Sequence, residues 1–411
     1  MRIQGEFLGG GHEVGRLGIY LKCDRTRLLF DYGMTATAPP LYPRESPPVD
    51  RMFLTHSHLD HCGMIPWLTA RYDIDVVTTP MSREIGLLLM EDSIKVGQSE
   101  GYPEPYNIDD VKIASKRFRE IKFGGTSDAD GLQVKAHSAG HIPGATMYEL
   151  GGSSTTLVTG DIHTIDTRLV NGAKPVRCDN LIMESTYSGR NHEDRAKTEY
   201  RLLKKVEEVH ERGGKAIIPA FAVGRTQELL LLLKDMKRDF WLDGMGRKVS
   251  KAYLSMPEYV RSGKRLRQAV NRTKMVKSRH GRARAARSDT IVTTSGMLDG
   301  GPVIDYLDNL KDDPRSAILL TGYQVEGSNG RRLLNDGVID VQGATVKVNC
   351  EVAQFDFSAH AGHDQLLEFA RGCAPEKIVL CHGDNREVLA EDLRRDGFEV
   401  LLPLNGEKFE L

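Results

Sequence analysis

Cysteine is sparse and unclustered in this sequence: six residues, Cys23, Cys62, Cys178, Cys350, Cys373 and Cys381, with no C-x-x-C pair among them. That pattern argues against a disulfide framework and a cysteine zinc site, and suits a reducing cytoplasm. No apolar run approaches membrane-spanning length, and the opening Met1-Arg2-Ile3-Gln4-Gly5-Glu6 has no apolar signal core. No membrane partner is therefore expected. Net charge is also nearly absent: 56 Lys plus Arg against 57 Asp plus Glu leave −1. No global charge announces a polyanion, so any such signal must be local. One local stretch lacks a sign entirely. Residues 261–287 hold eleven cations and no Asp or Glu. Such a run is either a solvated face paired with acids such as Asp308, Asp312 or Asp313, or a surface for a polyanion. Its isolation in a neutral chain favours the second.

What is present centres on His56-Ser57-His58-Leu59-Asp60-His61, behind the apolar run Arg51-Met52-Phe53-Leu54-Thr55. Strand side chains alternate between faces, and a helix gathers only some of these four. A tight strand-to-helix turn, continuing into Gly63-Met64-Ile65-Pro66, aims all four at one pocket. Imidazole nitrogen and carboxylate oxygen suit Zn²⁺. The cluster is too crowded for one tetrahedral ion with an open position, so two ions are expected.

With 411 residues the chain has room for two domains. Its first part alternates short β-rich runs with Gly-rich turns, at 3–8, 18–23 and 27–30, the last ending in Asp31-Tyr32-Gly33. A helix is expected over 82–98, with its cap near Ser82. His141 and Asp161 follow at strand ends; His137 reads as a satisfied loop or core residue, and His163 is left open. From about 188 the pattern becomes alternating strand and helix: a helix over 195–212, a strand at 215–219, an apolar helix through Leu233. Further strands are expected at 240–243, 290–294 and 317–321, implying a mainly parallel sheet. The tail returns to short strands carrying His360 and His382. A first part and a tail built alike suggest one domain inserted into another.

The ordered set Asp31, His56-x-His58-x-Asp60-His61, His141 and Asp161 resembles the metallo-β-lactamase superfamily. Glu184-Ser185-Thr186-Tyr187, Phe357-Ser358-Ala359-His360 and Cys381-His382-Gly383 resemble the three extra motifs of its β-CASP branch. Pro219-Ala220-Phe221-Ala222-Val223-Gly224-Arg225, Ser295-Gly296-Met297-Leu298 through Pro302, and Gly322-Tyr323-Gln324 through Gly327 narrow the resemblance. They are similar to nucleases related to the cleavage and polyadenylation specificity factor, including stand-alone archaeal and bacterial members. The resemblance spans the whole sequence.

It implies an α/β fold: a metallo-β-lactamase αββα sandwich over 1–187 and 351–411, with an inserted β-CASP domain of parallel sheet and flanking helices over 188–350. The N-terminal KH modules of some archaeal relatives are expected to be absent. The resemblance assigns one zinc to His56, His58 and His141 and another to Asp60, His61 and His382, bridged by Asp161 and by a water or hydroxide. Asp31 would orient a ligand histidine, His360 would be the general acid, and Glu184 would hold it. Asp60 would serve catalysis as a ligand. From their own chemistry, a hydroxyl, a guanidinium and a turn at a helix start, Ser358, Arg225 and Ser295 are candidate phosphate contacts. The basic run is not part of the family pattern, and from its charge Arg279, Arg282, Arg284 and Arg287 are expected to track the RNA backbone.

The implied activity is zinc-dependent hydrolysis of RNA phosphodiester bonds by a hydroxide activated between two metals, with endonuclease and 5′–3′ exonuclease modes both open. A His at the position of His382 implies RNA, where DNA-directed members typically carry Val. Single-stranded RNA is the expected partner, and a homodimer is compatible with the sequence without being specified by it. The rival readings are a DNA nuclease, a small-molecule metallo-hydrolase, and an inactive RNA-binding scaffold. The hydrolase would not need Glu184, His360 or the insertion, and the filled ligand positions count against the scaffold.

Overall fold

A computed structural model describes residues 2–341 and 343–411, which fall into two compact units. The first comprises Met1–Asp166, Val170–Asn191 and His360–Leu411; the second comprises Thr167–Leu169 and His192–Ala359.

Two seven-stranded sheets build the first unit. One runs in the order Lys408–Glu410, Ile3–Gly9, Gly18–Cys23, Thr26–Phe30, Arg51–Phe53, Val76–Thr78, Phe118–Glu120. The other runs Glu399–Leu401, Lys377–Cys381, Asn180–Glu184, Thr156–Val158, Thr146–Leu150, Leu132–Ser138, Thr126–Ala129. Each is antiparallel at one end and parallel at the other. Alternation along each strand decides which core a side chain joins. Leu28 and Phe30 point into the layer between the sheets with Phe53, Val134, Tyr148 and Val379. Leu29 turns the other way, to Met52, Leu54, Ile65 and Leu68. Both sheet faces are thus covered, the arrangement of an αββα sandwich.

The long helix Pro80–Glu100 starts two residues before Ser82, and its cap lies three residues before the expected one. Thr79 is the N-cap, its hydroxyl accepting from the Ser82 N–H, and Pro80 supplies the preset φ of a first helical position. Ser82 is therefore inside the first turn, with its hydroxyl donating to the Gly144 carbonyl.

A six-stranded, wholly parallel sheet forms the second unit, in the order Lys274–Met275, Phe240–Asp243, Thr290–Thr293, Ala216–Pro219, Ala317–Leu320, Glu351–Gln354. Its three central strands are buried at every position, as required when helices cover both faces. The helix Arg225–Leu233 is apolar around much of its circumference and is buried from Thr226 to Leu233. No described helix is long and apolar enough to cross a membrane.

Candidate metal centre

The histidine motif lies where the strand Arg51–Phe53 runs out and the short helix Leu59–Cys62 begins, with His58 at the helix N-cap. A second segment grips this turn. Tyr32 N–H donates to the His61 carbonyl at 2.7 Å, Met34 N–H to Leu59 at 2.9 Å, and Leu17 N–H to Asp60 at 2.8 Å. Such close backbone packing needs Gly33: a Cβ there would stand 1.8 Å from the Asp60 carbonyl oxygen. Asp31, in left-handed backbone at φ 58°, sends its carboxylate under the motif. One oxygen accepts from the Thr55 N–H at 2.7 Å; the other is 2.7 Å from both the Thr55 hydroxyl and His61 Nδ1.

The remaining donors arrive at strand ends from distant parts of the chain. His141 follows Leu132–Ser138, Asp161 follows Thr156–Val158, Glu184 ends Asn180–Glu184, and His382 follows Lys377–Cys381. Strands ending at one edge of a sheet deliver these side chains to one place. His58 Nδ1 is 3.0 Å from His56 Nε2 and 3.1 Å from His141 Nε2. Asp161 Oδ2 is 3.5, 3.7 and 3.3 Å from Nε2 of His56, His141 and His61. On the other side, Asp60 Oδ2 is 3.8 Å from His61 Nε2 and 3.5 Å from His382 Nε2. Asp161 Oδ1 is 3.3 Å from His382 Nδ1. His56, His58, His141 and Asp161 form one donor set with ligand atoms within 4.8 Å of one another, and Asp60, His61 and His382 form a second.

These donors fit metal ions. Buried His61 Nε2 and Asp161 Oδ1 make no hydrogen bond, although each faces opposite charge. Imidazole nitrogens meeting at 3.0 Å cannot all satisfy one another by hydrogen bonding, whereas a cation accepts all of them. Electrostatics points the same way. Burial, reinforced by His61, holds His56 well below the ordinary imidazole range. Burial also brings His58 down to about 4, against the pull of Asp60. Both rings are therefore neutral, as ligands must be. Burial would raise the Asp161 carboxyl, but His61, His382 and His360 outweigh it and hold it well below its usual value. His61 goes the other way: burial opposes its charge, yet Asp161, Asp60 and Asp31 push it well above the imidazole range. The cluster calls for positive charge. This is the donor chemistry of a metal-binding site.

Beside the cluster, His360 Nδ1 is 3.1 and 3.0 Å from the two oxygens of Glu184, and Nε2 is 3.9 Å from Asp161 Oδ2. Glu184 also accepts from the Ile162 N–H at 2.7 Å. Burial lowers His360, but Glu184 and Asp161 win and raise it to about 9. Glu184 also falls within ligand reach of Asp161 and His382. Its oxygens are nevertheless already engaged by Ile162 and His360.

Three supports near the cluster had no sequence signal as such. Thr55 ties Asp31 to the motif. Gly15 N–H donates to His382 Nε2 at 3.2 Å, and the Thr186 hydroxyl lies 3.3 Å from His382 Nδ1. Thr55 and Thr186 lie inside segments the sequence marks out, but only the partner across the fold gives them a task. His137 pairs with Glu149 at 2.7 Å, and buried His163 has Nδ1 3.0 Å from the Ile165 carbonyl.

Arg225, Ser295, Ser358 and the basic run belong to the second unit. Arg225 donates to the Thr321 carbonyl. Ser358 is buried, its N–H donating to Asp356 and its carbonyl accepting from Arg195. Ser295 N–H donates to the Gly300 carbonyl at 3.3 Å. In the basic run, Arg282 spans Asp243 and Asp305 at 2.7 and 2.5 Å, and Arg284 lies over the Trp241 ring. Arg279 and Arg287 are exposed and have no carboxylate partner among the described residues. Asp308, Asp312 and Asp313 pair with Lys311 and Arg315 instead of the run.

Family models match three stretches: a metallo-β-lactamase superfamily model over residues 20–205, a Beta-Casp domain over 226–333, and a Zn-dependent metallo-hydrolase RNA specificity domain over 345–403. The chain is 37% identical to Probable RNase MJ4 of Methanocaldococcus jannaschii, across 98% of this chain and 99% of that one. It is 33% identical to RNase aCSPSF2 of Saccharolobus solfataricus, across 99% of this chain and 85% of the relative. It is 34% identical to transcription termination factor FttA of M. jannaschii, across 96% and 69%. A crystal structure of a protein of unknown function from Enterococcus faecalis has the same fold, with TM-score 0.63 at 13% identity over the full length of both chains. By its motifs, its fold and its full-length relatives, this chain belongs to the β-CASP branch of the metallo-β-lactamase superfamily.

Proposed function

We propose that this chain is a zinc-dependent ribonuclease that hydrolyses phosphodiester bonds of single-stranded RNA. The observation that carries this reading is the Glu184–His360 pair standing against the donor cluster, because hydrolysis with a poor alkoxide leaving group needs a proton donor beside its metals. Relatives named as RNases, matched over 99% and 85% of their length, supply the substrate class.

Two zinc ions would be held, one by His56, His58 and His141 and one by Asp60, His61 and His382, with Asp161 within reach of both donor sets. When bound, such ions lower the pKa of water and neutralise phosphate oxygens as charge builds in the transition state. The chain's own residues do the rest. Asp31 fixes His61 through Nδ1 and so aims Nε2 inward. Glu184 holds the Nδ1 side of His360 and keeps the ring protonated, so Nε2 carries the proton that passes to the leaving 3′-oxygen. Ser358, Arg225 and Ser295 are proposed to contact phosphates, and part of the basic run to contact the RNA backbone.

The working division of the chain is a metallo-β-lactamase domain over 1–187 and 351–411 with the β-CASP domain over 188–350, acting in the cytoplasm as a monomer or homodimer. The test uses end-labelled single strands of matched RNA and DNA sequence, with 5′-hydroxyl, monophosphate or triphosphate ends. RNA cleavage that chelator abolishes and zinc restores is expected, and the ladder separates internal from 5′-end cutting. Equal or faster cleavage of DNA overturns the RNA assignment.

A further inference from the structure

A cavity of about 260 Å³ opens in the second unit, lined by Asp243, Arg247, Val276, Lys277, Ser278, Arg279 and Arg282. It lies at the carboxyl ends of two neighbouring parallel strands, Phe240–Asp243 and Lys274–Met275, at one edge of the sheet. Four cations and one carboxylate share its wall, and that carboxylate is spent. Asp243 is buried; Oδ1 accepts from the Gly244 N–H at 2.7 Å, and Oδ2 takes Arg282 at 2.7 Å and the Tyr306 hydroxyl at 3.0 Å. Arg282 is thereby neutralised, its other arm held by Asp305. Three cations are left over. Arg247 is half-buried and makes only an Nε contact to the Gly244 carbonyl at 3.2 Å, and Lys277 and Arg279 meet no carboxylate among the described residues.

Three positive charges around one concavity repel one another, and no carboxylate among the described residues pairs with any of them. We propose that this cavity binds a phosphoryl group, carried by an RNA strand, through Arg247, Lys277 and Arg279. An extended strand fits better than an isolated anion. A second cavity, of about 560 Å³, shares Arg279 and Arg282 in its wall and continues past Ala283, Ala286 and Ile304. Its acids are already occupied, Asp305 by Arg282 and Asp308 by Lys311. The site separates the basic run into parts. Arg282 is committed to two carboxylates and Arg284 lies over the Trp241 ring; Arg279 acts with Lys277 and with Arg247, which lies outside the run.

The inference rests on the RNA reading, so it is tested by binding without turnover. Fluorescent single-stranded RNA is titrated in chelator at several salt concentrations, against the whole chain and against Arg247→Gln, Lys277→Gln, Arg279→Gln and their triple combination. Thermal melts monitor folding. Each lost phosphate contact is expected to reduce the slope of log affinity on log salt by about 0.7. Arg282→Gln is expected to lower the melting temperature with less effect on that slope. Inorganic pyrophosphate, added as competitor, is expected to displace RNA from the wild type. A folded triple variant that binds RNA with unchanged affinity and slope overturns the proposal. Loss of pyrophosphate binding with an unchanged RNA slope overturns RNA as the source of the phosphate. A chain that binds RNA through these residues and cleaves none would sink the nuclease reading and leave this site standing.

Discussion

Glu184 and His360, 176 residues apart in sequence, stand with carboxylate oxygens 3.0 and 3.1 Å from one imidazole nitrogen. Asp161 lies on the opposite edge of the same ring, 3.9 Å from Nε2. A carboxylate on each side explains why burial fails to depress this histidine, and in the proposed reaction this ring is the proton donor.

The carboxylate's charge is therefore separable from its hydrogen bond. Glu184→Gln retains an acceptor but removes the charge that raises His360 to about 9. A group with a raised pKa is protonated below that value and loses its proton above it. The alkaline limb of the pH–rate profile is expected to move to lower pH in the variant. An unmoved limb would assign the proton to another group.

Proton donation and metal binding are expected to separate between two histidines. His360→Ala should keep its metal content and lose on the order of 10²–10⁴ in cleavage rate. His382→Ala should lose metal from the Asp60–His61 side. Elemental analysis of both proteins beside single-turnover rates checks this, and equal metal loss would show that the roles are not divided.

Two zinc ions per chain are expected, and Asp161→Asn, which removes the charge central to both donor sets, should lower occupancy and activity while the fold survives. One ion or none after reconstitution with zinc would contradict the two-ion assignment. Circular dichroism and elemental analysis on the same samples make the comparison.

Metal binding should also release protons. The three carboxylates around His61 raise its affinity for a proton in the metal-free chain, and a metal takes over that compensation. Apparent zinc affinity is then expected to rise with pH across the neutral range, by up to about tenfold per pH unit for each proton released. Calorimetry in buffers of different ionisation enthalpy counts those protons; a count of zero would mean the cluster is neutralised some other way.

Gly33→Ala is expected to destabilise the fold by at least the roughly 1–3 kcal/mol typical of overpacking, because the rigid backbone of the histidine turn cannot withdraw from the new methyl. A melting temperature equal to that of the wild type would show that the turn yields.

Local chemistry was readable in the sequence by itself. His56, His58, Asp60 and His61 occupy six consecutive positions, so a single turn suffices to gather them whatever the rest of the chain does. Fold class was readable too, because alternating strand and helix periods and the ordered motifs are statements about short stretches. The start of the helix Pro80–Glu100 was misplaced because Thr79, Pro80 and Ser82 all offer helix-start chemistry, and only the Thr79 hydroxyl meets the Ser82 N–H. What only the tertiary structure decided is the geometry at which distant groups meet, a meeting the ordered motifs implied only through the resemblance. Sheet order carries Asp161, Glu184 and His382 to one edge, and sequence separation says nothing about sheet order. Charge follows the same rule. Arg279 and Arg282 are three residues apart in one basic run, yet Arg282 is consumed by Asp243 and Asp305 while Arg279 opens into a cavity with Arg247. A charge acts through its nearest neighbours in space, and those neighbours are set only when the chain has folded.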